Sequence, residues 1–264
     1  MKIAKVVDKN GKIVSVALTD NDILRRVKGD IFRNDLQITD EIVEADKWLE
    51  PVEPKVFICV AANYKAHIEE SNGKVPDYPI FFMKNLSATN AHLEPIRLPQ
   101  VCDDEVDFEG ELALIIGKKC LNVSKEDAME YVLGYTVSND VSARNWQLVK
   151  GGGQWCRGKG FDGFCPTGPF LITKDEIEDV GNLRIKTILN GQVVQDGNTN
   201  LMIFDIPTLI SFLSQDTTLV PGTVILTGTP AGVGWAREPK LLLKKGDVVS
   251  VEIEKIGALT NPVE

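Results

Sequence analysis

The stretch Asp107-Phe108-Glu109-Gly110-Glu111-Leu112-Ala113-Leu114-Ile115-Ile116 constrains this chain more than any other part of it. It reads as a β-strand, in which alternate side chains share a face. One face then carries Asp107, Glu109, Glu111, Ala113 and Ile115, and the other Phe108, Gly110, Leu112, Leu114 and Ile116. The far end looks buried on both faces, while two or three carboxylates stack on one side near the start. Like charges that close repel, and burying them unpaired is costly. A solvated strand end or salt bridges to Lys or Arg would satisfy the pattern, and so would a metal ion.

Asp140 tips the balance towards a metal. It follows the strand-like run Gly134-Tyr135-Thr136-Val137-Ser138-Asn139, at the point where loops deliver side chains into sites. Glu109, Glu111 and Asp140 would form an all-oxygen set with no Cys or His at ligand spacing. That chemistry selects a hard cation, Mg²⁺ or Mn²⁺ before Ca²⁺, and argues against zinc. Three protein ligands leave an octahedral ion open to water or substrate, which is a catalytic feature.

The chain has two histidines. His92 lies in a loop-like stretch and reads as structural. His67 follows the buried run Val56 to Val60, and on a helical turn it faces Glu70. A carboxylate beside imidazole fixes its tautomer and raises its basicity, as a general base requires, although a surface His–Glu contact would look the same.

Other chemistries find little support. A net charge of −9 without a dense basic cluster disfavours nucleic acid. Gly158-Lys159-Gly160-Phe161-Asp162-Gly163 matches G-x-G-x-x-G in letters, but no apolar strand leads into it and Pro166 and Pro169 block a following helix. There is no G-x-S-x-G elbow. Five cysteines without a C-x-x-C pair read as reduced thiols. With neither a secretory pattern nor a membrane-length apolar run, the expected location is cytoplasmic.

Strands are expected to dominate, without alternating with helices, so the fold class is α+β and mainly β. Residues 1–52 read as a small N-terminal α/β module: a hairpin around Asn10-Gly11, then short helices over 20–27 and 39–49. Residues 53–264 form the remainder, with a second hairpin at Asn190-Gly191, a helix starting at the capping box of Ser124, and another over 204–213 with Pro207 in its first turn.

Four motifs, Glu109-Gly110-Glu111-Leu112-Ala113, Asn139-Asp140-Val141-Ser142-Ala143-Arg144-Asn145-Trp146-Gln147, Gly158-Lys159-Gly160-Phe161-Asp162 and Leu226-Thr227-Gly228-Thr229-Pro230-Ala231-Gly232-Val233, resemble the fumarylacetoacetate hydrolase family, in order and with similar spacing over roughly 55–260. The resemblance implies a catalytic domain of twisted mixed β-sheets, β-roll or barrel-like, and a homodimer. It implies Glu109, Glu111 and Asp140 as Mg²⁺ or Mn²⁺ ligands. It also implies His67 and Glu70 as an acid/base dyad on a lid segment, and Arg144, Gln147, Lys159 and Thr229 as contacts for substrate, with Lys84 as a further pocket residue. Ala61-Ala62 departs from the family, where glycine is more usual before Asn63-Tyr64.

The expected substrate is a small 2-oxo acid, oxaloacetate or an acylpyruvate, which chelates the open metal face and reacts through a stabilised enolate. Decarboxylation or keto–enol tautomerisation is the first expectation, with hydrolytic C–C cleavage close behind. His67, oriented by Glu70, or Lys159 would move the proton. The alternatives are isomerisation or decarboxylation of longer unsaturated 2-oxo-dioates of aromatic catabolism, or a non-catalytic, metal-stabilised binding protein.

Overall fold

The computed structural model describes residues 1–102, 104–150 and 152–264. Its central strand is Gly110–Ile116, buried along its whole length. The strand pairs antiparallel with Val132–Asn139 on one side and with Thr223–Leu226 on the other. Beyond Thr223–Leu226 the large sheet continues through Val56–Ala61, which runs parallel to it, to the edge strand Ile80–Lys84. In the other direction it continues through Cys165–Thr173, Lys2–Asp8, Ile13–Thr19 and Ile23–Lys28 to Gln37–Ile42. A second, four-stranded antiparallel sheet is built from Gln192–Asn198, Arg184–Leu189, Val248–Ile253 and Gly257–Pro262.

The main core lies between the sheets. Leu112, Leu114 and Ile116 meet Ile185, Val251, Ile253 and Leu259 there, and the helix Ile206–Leu213 closes one side. Full burial of each such side chain is worth about 2 kcal/mol. Gly110 lies under the second sheet so closely that a Cβ would stand 2.2 Å from the Thr187 hydroxyl. The opposite face of the strand, with Ala113 and Ile115, packs on Phe57, Cys59, Phe82 and Leu226. The expected alternation is realised over Gly110–Ile116, where it turns Glu111 away from the main core, but the strand expected from 107 is interrupted: Val106–Asp107 pairs separately with Ser142–Ala143.

The mainly β class holds, with few helices. The N-terminal segment differs from expectation in its elements. The helices expected over 20–27 and 39–49 are absent: a 3₁₀ turn Asp20–Asp22 leads into the strand Ile23–Lys28, and the second region holds the strands Gln37–Ile42 and Ala45–Leu49. Ile23, Val27, Ile38, Thr39 and Ile42 are β-branched, and sheet pairing outweighs the local capping oxygens. The segment keeps a small core of Ala4, Val6, Val14, Val16 and Val43, yet it joins the large sheet where Lys2 and Ile3 pair with Ile172 and Leu171. The helix expected after Ser124 shrinks to a 3₁₀ helix, Ala128–Tyr131, although Ser124 Oγ does accept from the Asp127 amide. Both Asn-Gly hairpins form, and Asp205 caps the helix containing Pro207. Among the described residues no helix is long and apolar enough to cross a membrane.

Candidate active site

Strand register assembles the carboxylates. Gly110 pairs with Asn139, so Glu109 and Asp140 leave adjacent strand ends together. The Asp140 amide donates to the Glu109 carbonyl at 2.8 Å, and the Asn139 side chain accepts from the Glu109 amide at 2.9 Å. Glu111, one pleat on, accepts from the Gly228 amide at 2.7 Å. Ligand atoms of Glu109, Glu111 and Asp140 all lie within 4.8 Å of one another, and all three side chains are buried.

Cationic side chains surround this cluster unevenly. Arg144 Nη1 stands 2.6 Å from Glu109, and Lys159 Nζ bridges Glu109 and Asp140 at 2.8 Å each. Lys84 pairs with the other oxygen of Asp140 and donates to the carbonyls of Val141 and Phe164. Burial alone would raise Glu109, but Lys159 and Arg144 hold its carboxyl well below the usual range. Burial pushes Glu111 well up, and the charges of Asp140 and Glu109 push it further. Among the described residues no ion pair reaches Glu111. A divalent cation fits this set: the donors are hard oxygens, mutually close and buried, and a positive charge among them would relieve the repulsion on Glu111.

The dyad forms as the sequence suggests. Helix Lys65–Glu70 places His67 Nδ1 2.7 Å from Glu70 Oε1, and Glu70 Oε2 accepts from the Gly232 amide at 2.8 Å. Asn63 anchors the helix from below by donating to the carbonyls of Thr227 and Phe204. One cavity of about 530 Å³ brings together His67, Glu70, Glu109, Glu111, Asp140, Arg144, Gln147, Lys159 and Thr229. Lys84 does not line it. It lies behind Asp140, 4% exposed, which makes it a support for that carboxylate and not a substrate contact.

Other expected contacts are already engaged within the protein. Arg144 makes the bridge back to the carboxylates, holding Asp107 as well as Glu109, and it donates to the Gln147 side chain at 3.1 Å. Gln147 sits on a π-helical turn, Trp146–Lys150. Against it packs the helix Trp155–Lys159, so closely that a Cβ on Gly158 would stand 2.4 Å from the Gln147 nitrogen. Burial would lower the Lys159 pKa, but Asp140 and Glu109 hold it above its ordinary value. Thr229 donates to the Gly110 carbonyl at 3.0 Å and accepts from Gln195 at 2.8 Å.

Gln195 escaped the sequence reading. Its carbonyl oxygen accepts from the Gly110 amide and the Thr187 hydroxyl, and its nitrogen also donates to Pro230, so it ties the second sheet to the Thr229 loop. Trp235, Arg237 and Lys240, which line the outer cavity, were missed too. No motif marks these residues; only the tertiary packing brings them to the site.

Comparison with known proteins agrees with this geometry. The model of the C-terminal part of fumarylacetoacetate (FAA) hydrolase matches residues 56–264. The oxaloacetate tautomerase fahd2, mitochondrial, of Xenopus laevis is 52% identical over 210 residues, covering 80% of this chain and 66% of that protein. The human oxaloacetate tautomerase FAHD2A, mitochondrial, is 49% identical over 217 residues, covering 82% and 69%. The chain thus spans about two thirds of the length of these relatives. Among solved structures, 5-carboxymethyl-2-hydroxymuconate delta-isomerase from Mycobacterium smegmatis superposes with a TM-score of 0.86 at 36% identity, covering 100% of this chain and 99% of that one. The 2-hydroxyhepta-2,4-diene-1,7-dioate isomerase from Mycobacterium marinum gives 0.84 at 37% identity, covering 100% and 98%.

Proposed function

Because the chain belongs to the fumarylacetoacetate hydrolase family, we propose that it is a divalent-cation-dependent enzyme of small 2-oxo acids whose reaction is keto–enol tautomerisation of oxaloacetate. The observation that carries this reading is the convergence of the dyad, the carboxylate triad and Arg144 on one cavity. Relatives about half identical to it are oxaloacetate tautomerases by name.

A bound divalent cation would supply Lewis acidity, drawing charge from the 2-oxo oxygen and adjacent carboxylate of a chelated acid. Arg144 and Gln147 orient the substrate carboxylate beside the triad. With Nδ1 engaged by Glu70, Nε2 of His67 is the nitrogen left to take a proton from C3 of the keto form. The proton returns at the 2-oxygen, so no carbon–carbon bond breaks and no water is consumed. Lys159, held protonated by Asp140 and Glu109, is a fixed hydrogen-bond donor and cation, which supports His67 as the base. Decarboxylation and hydrolytic cleavage of acylpyruvates are the neighbouring outcomes of the same site.

A second reading, isomerisation of longer unsaturated 2-oxo-dioates, draws on the outer cavity, where Arg237, Lys240 and Trp235 leave room for a distal carboxylate. Oxaloacetate, acetylpyruvate and a seven-carbon 2-oxo-dioate separate these readings when each is followed by enol absorbance and by release of pyruvate. Tautomerisation predicts fast loss of the oxaloacetate enol band without matching pyruvate. Stoichiometric pyruvate or CO₂ would replace it with cleavage or decarboxylation, and turnover of the seven-carbon acid alone would favour the second reading.

A further inference from the structure

Asp107 ends the short strand Val106–Asp107, ahead of the carboxylates, and does not join the triad. It is fully buried, and its two oxygens accept four hydrogen bonds, two each. Oδ1 takes the amides of Phe108 at 2.9 Å and Gly234 at 2.8 Å. Oδ2 takes the Trp235 amide at 3.0 Å and Nε of Arg144 at 2.9 Å, with Arg144 Nη2 at an ion-pair distance of 2.7 Å. Every lone-pair direction of the carboxylate is used, which leaves none for a metal. The Nε hydrogen bond and the Nη2 ion pair orient the guanidinium and leave Nη1 facing Glu109 and Gln147. The same carboxylate pins the backbone beneath Trp235, which lines the outer cavity. Gly234 makes this possible, since a Cβ there would stand 1.8 Å from the Leu241 carbonyl and 2.7 Å from Asp107.

We propose that Asp107 is a positioning residue that acts through Arg144. It confines the contact of the guanidinium with Glu109 to Nη1, so that a divalent cation can displace that one contact and Nη1 can turn to a substrate carboxylate, and it locks the Trp235 wall to that arrangement. Without the Asp107 charge, Arg144 would keep Glu109 as its nearest buried counter-charge and settle on it, in competition with the cation. The substrate half of this inference rests on the 2-oxo acid reading; the metal half does not.

The test compares Mn²⁺ affinity by calorimetry in the wild type, Asp107→Asn, Arg144→Met and the double variant. Removing one charge-assisted bond of this kind corresponds to roughly a tenfold change. Asp107→Asn is expected to weaken Mn²⁺ binding about tenfold in the wild-type background and under threefold alongside Arg144→Met, the remainder being loss of through-space attraction. In oxaloacetate kinetics Asp107→Asn should raise KM more than it lowers kcat. Equal losses of Mn²⁺ affinity in both backgrounds, or no loss in either, would overturn the proposal. If Asp107→Asn fails to fold, recovery of folding in the double variant supports the coupling, and failure of both makes the role structural and overturns it. A wild type inert towards oxaloacetate would remove the substrate reading, while the Mn²⁺ comparison would still decide the role of Asp107.

Discussion

Glu111 is the residue on which the electrostatics of the site turn. Its carboxyl is raised by burial and by the charges of Asp140 and Glu109. In the metal-free protein, stability from this group is therefore fully present below its unfolded pKa of about 4.3 and is lost as pH rises through the raised folded value. A divalent cation needs the ionised form, so binding releases a proton and strengthens over the same window. The melting temperature in excess Mn²⁺ minus that in EDTA should accordingly grow as pH rises above the ordinary carboxylate range, and Glu111→Gln should flatten the trend. An increment independent of pH in the wild type would remove Glu111 from the ligand set. The triad was legible in the sequence because period-two alternation puts Glu109 and Glu111 on one face, and a second strand ends at Asp140. Lys84 was not: an apolar run followed by a lysine does not say that the ammonium points inward, behind Asp140.

At the scale of elements, the helix Lys65–Glu70 depends on the turn that launches it from the strand Val56–Ala61. Ala62 holds a left-handed φ of 52°, at the pair of alanines where the family more often has glycine. That conformation costs a non-glycine residue roughly 1–2 kcal/mol, and Asn63 enforces it through its bonds to Thr227 and Phe204. Ala62→Gly should stabilise the protein by about 0.5–1 kcal/mol in urea unfolding, after allowing for glycine's larger chain entropy. A loss of stability would show that the turn carries no strain. The catalytic elements were readable because buried strands announce themselves as apolar runs, and Asn-Gly turns set the hairpins. The N-terminal strands were mistaken for helices because Thr39 and the Asp20 region supply capping oxygens. What decides their structure is partnership with Lys2–Asp8 and its neighbours, which is not local.

For the whole molecule, the candidate site is assembled where two sheets meet at one end of a buried strand. Gly110 admits the second sheet, Gln195 ties that sheet to the Thr229 loop, and the loop in turn receives Glu70 of the helix Lys65–Glu70. A chain of net charge −9 thereby presents Arg144, Lys159, Arg237 and Lys240 to one cavity, which favours a small anionic acid there against the overall field. The class of fold was visible in the strand-rich pattern. The outer wall of the cavity, contributed by residues beyond 230, was not, because nothing in its composition points to a site. The most direct test of the account is a Mn²⁺ titration of metal-stripped wild type and Asp140→Ala, with the rate of oxaloacetate enol loss measured in the same samples. The account predicts that the wild-type rate rises in proportion to bound Mn²⁺ and vanishes in EDTA, while Asp140→Ala neither binds the ion nor turns over. Full activity in EDTA, or in Asp140→Ala, would contradict it.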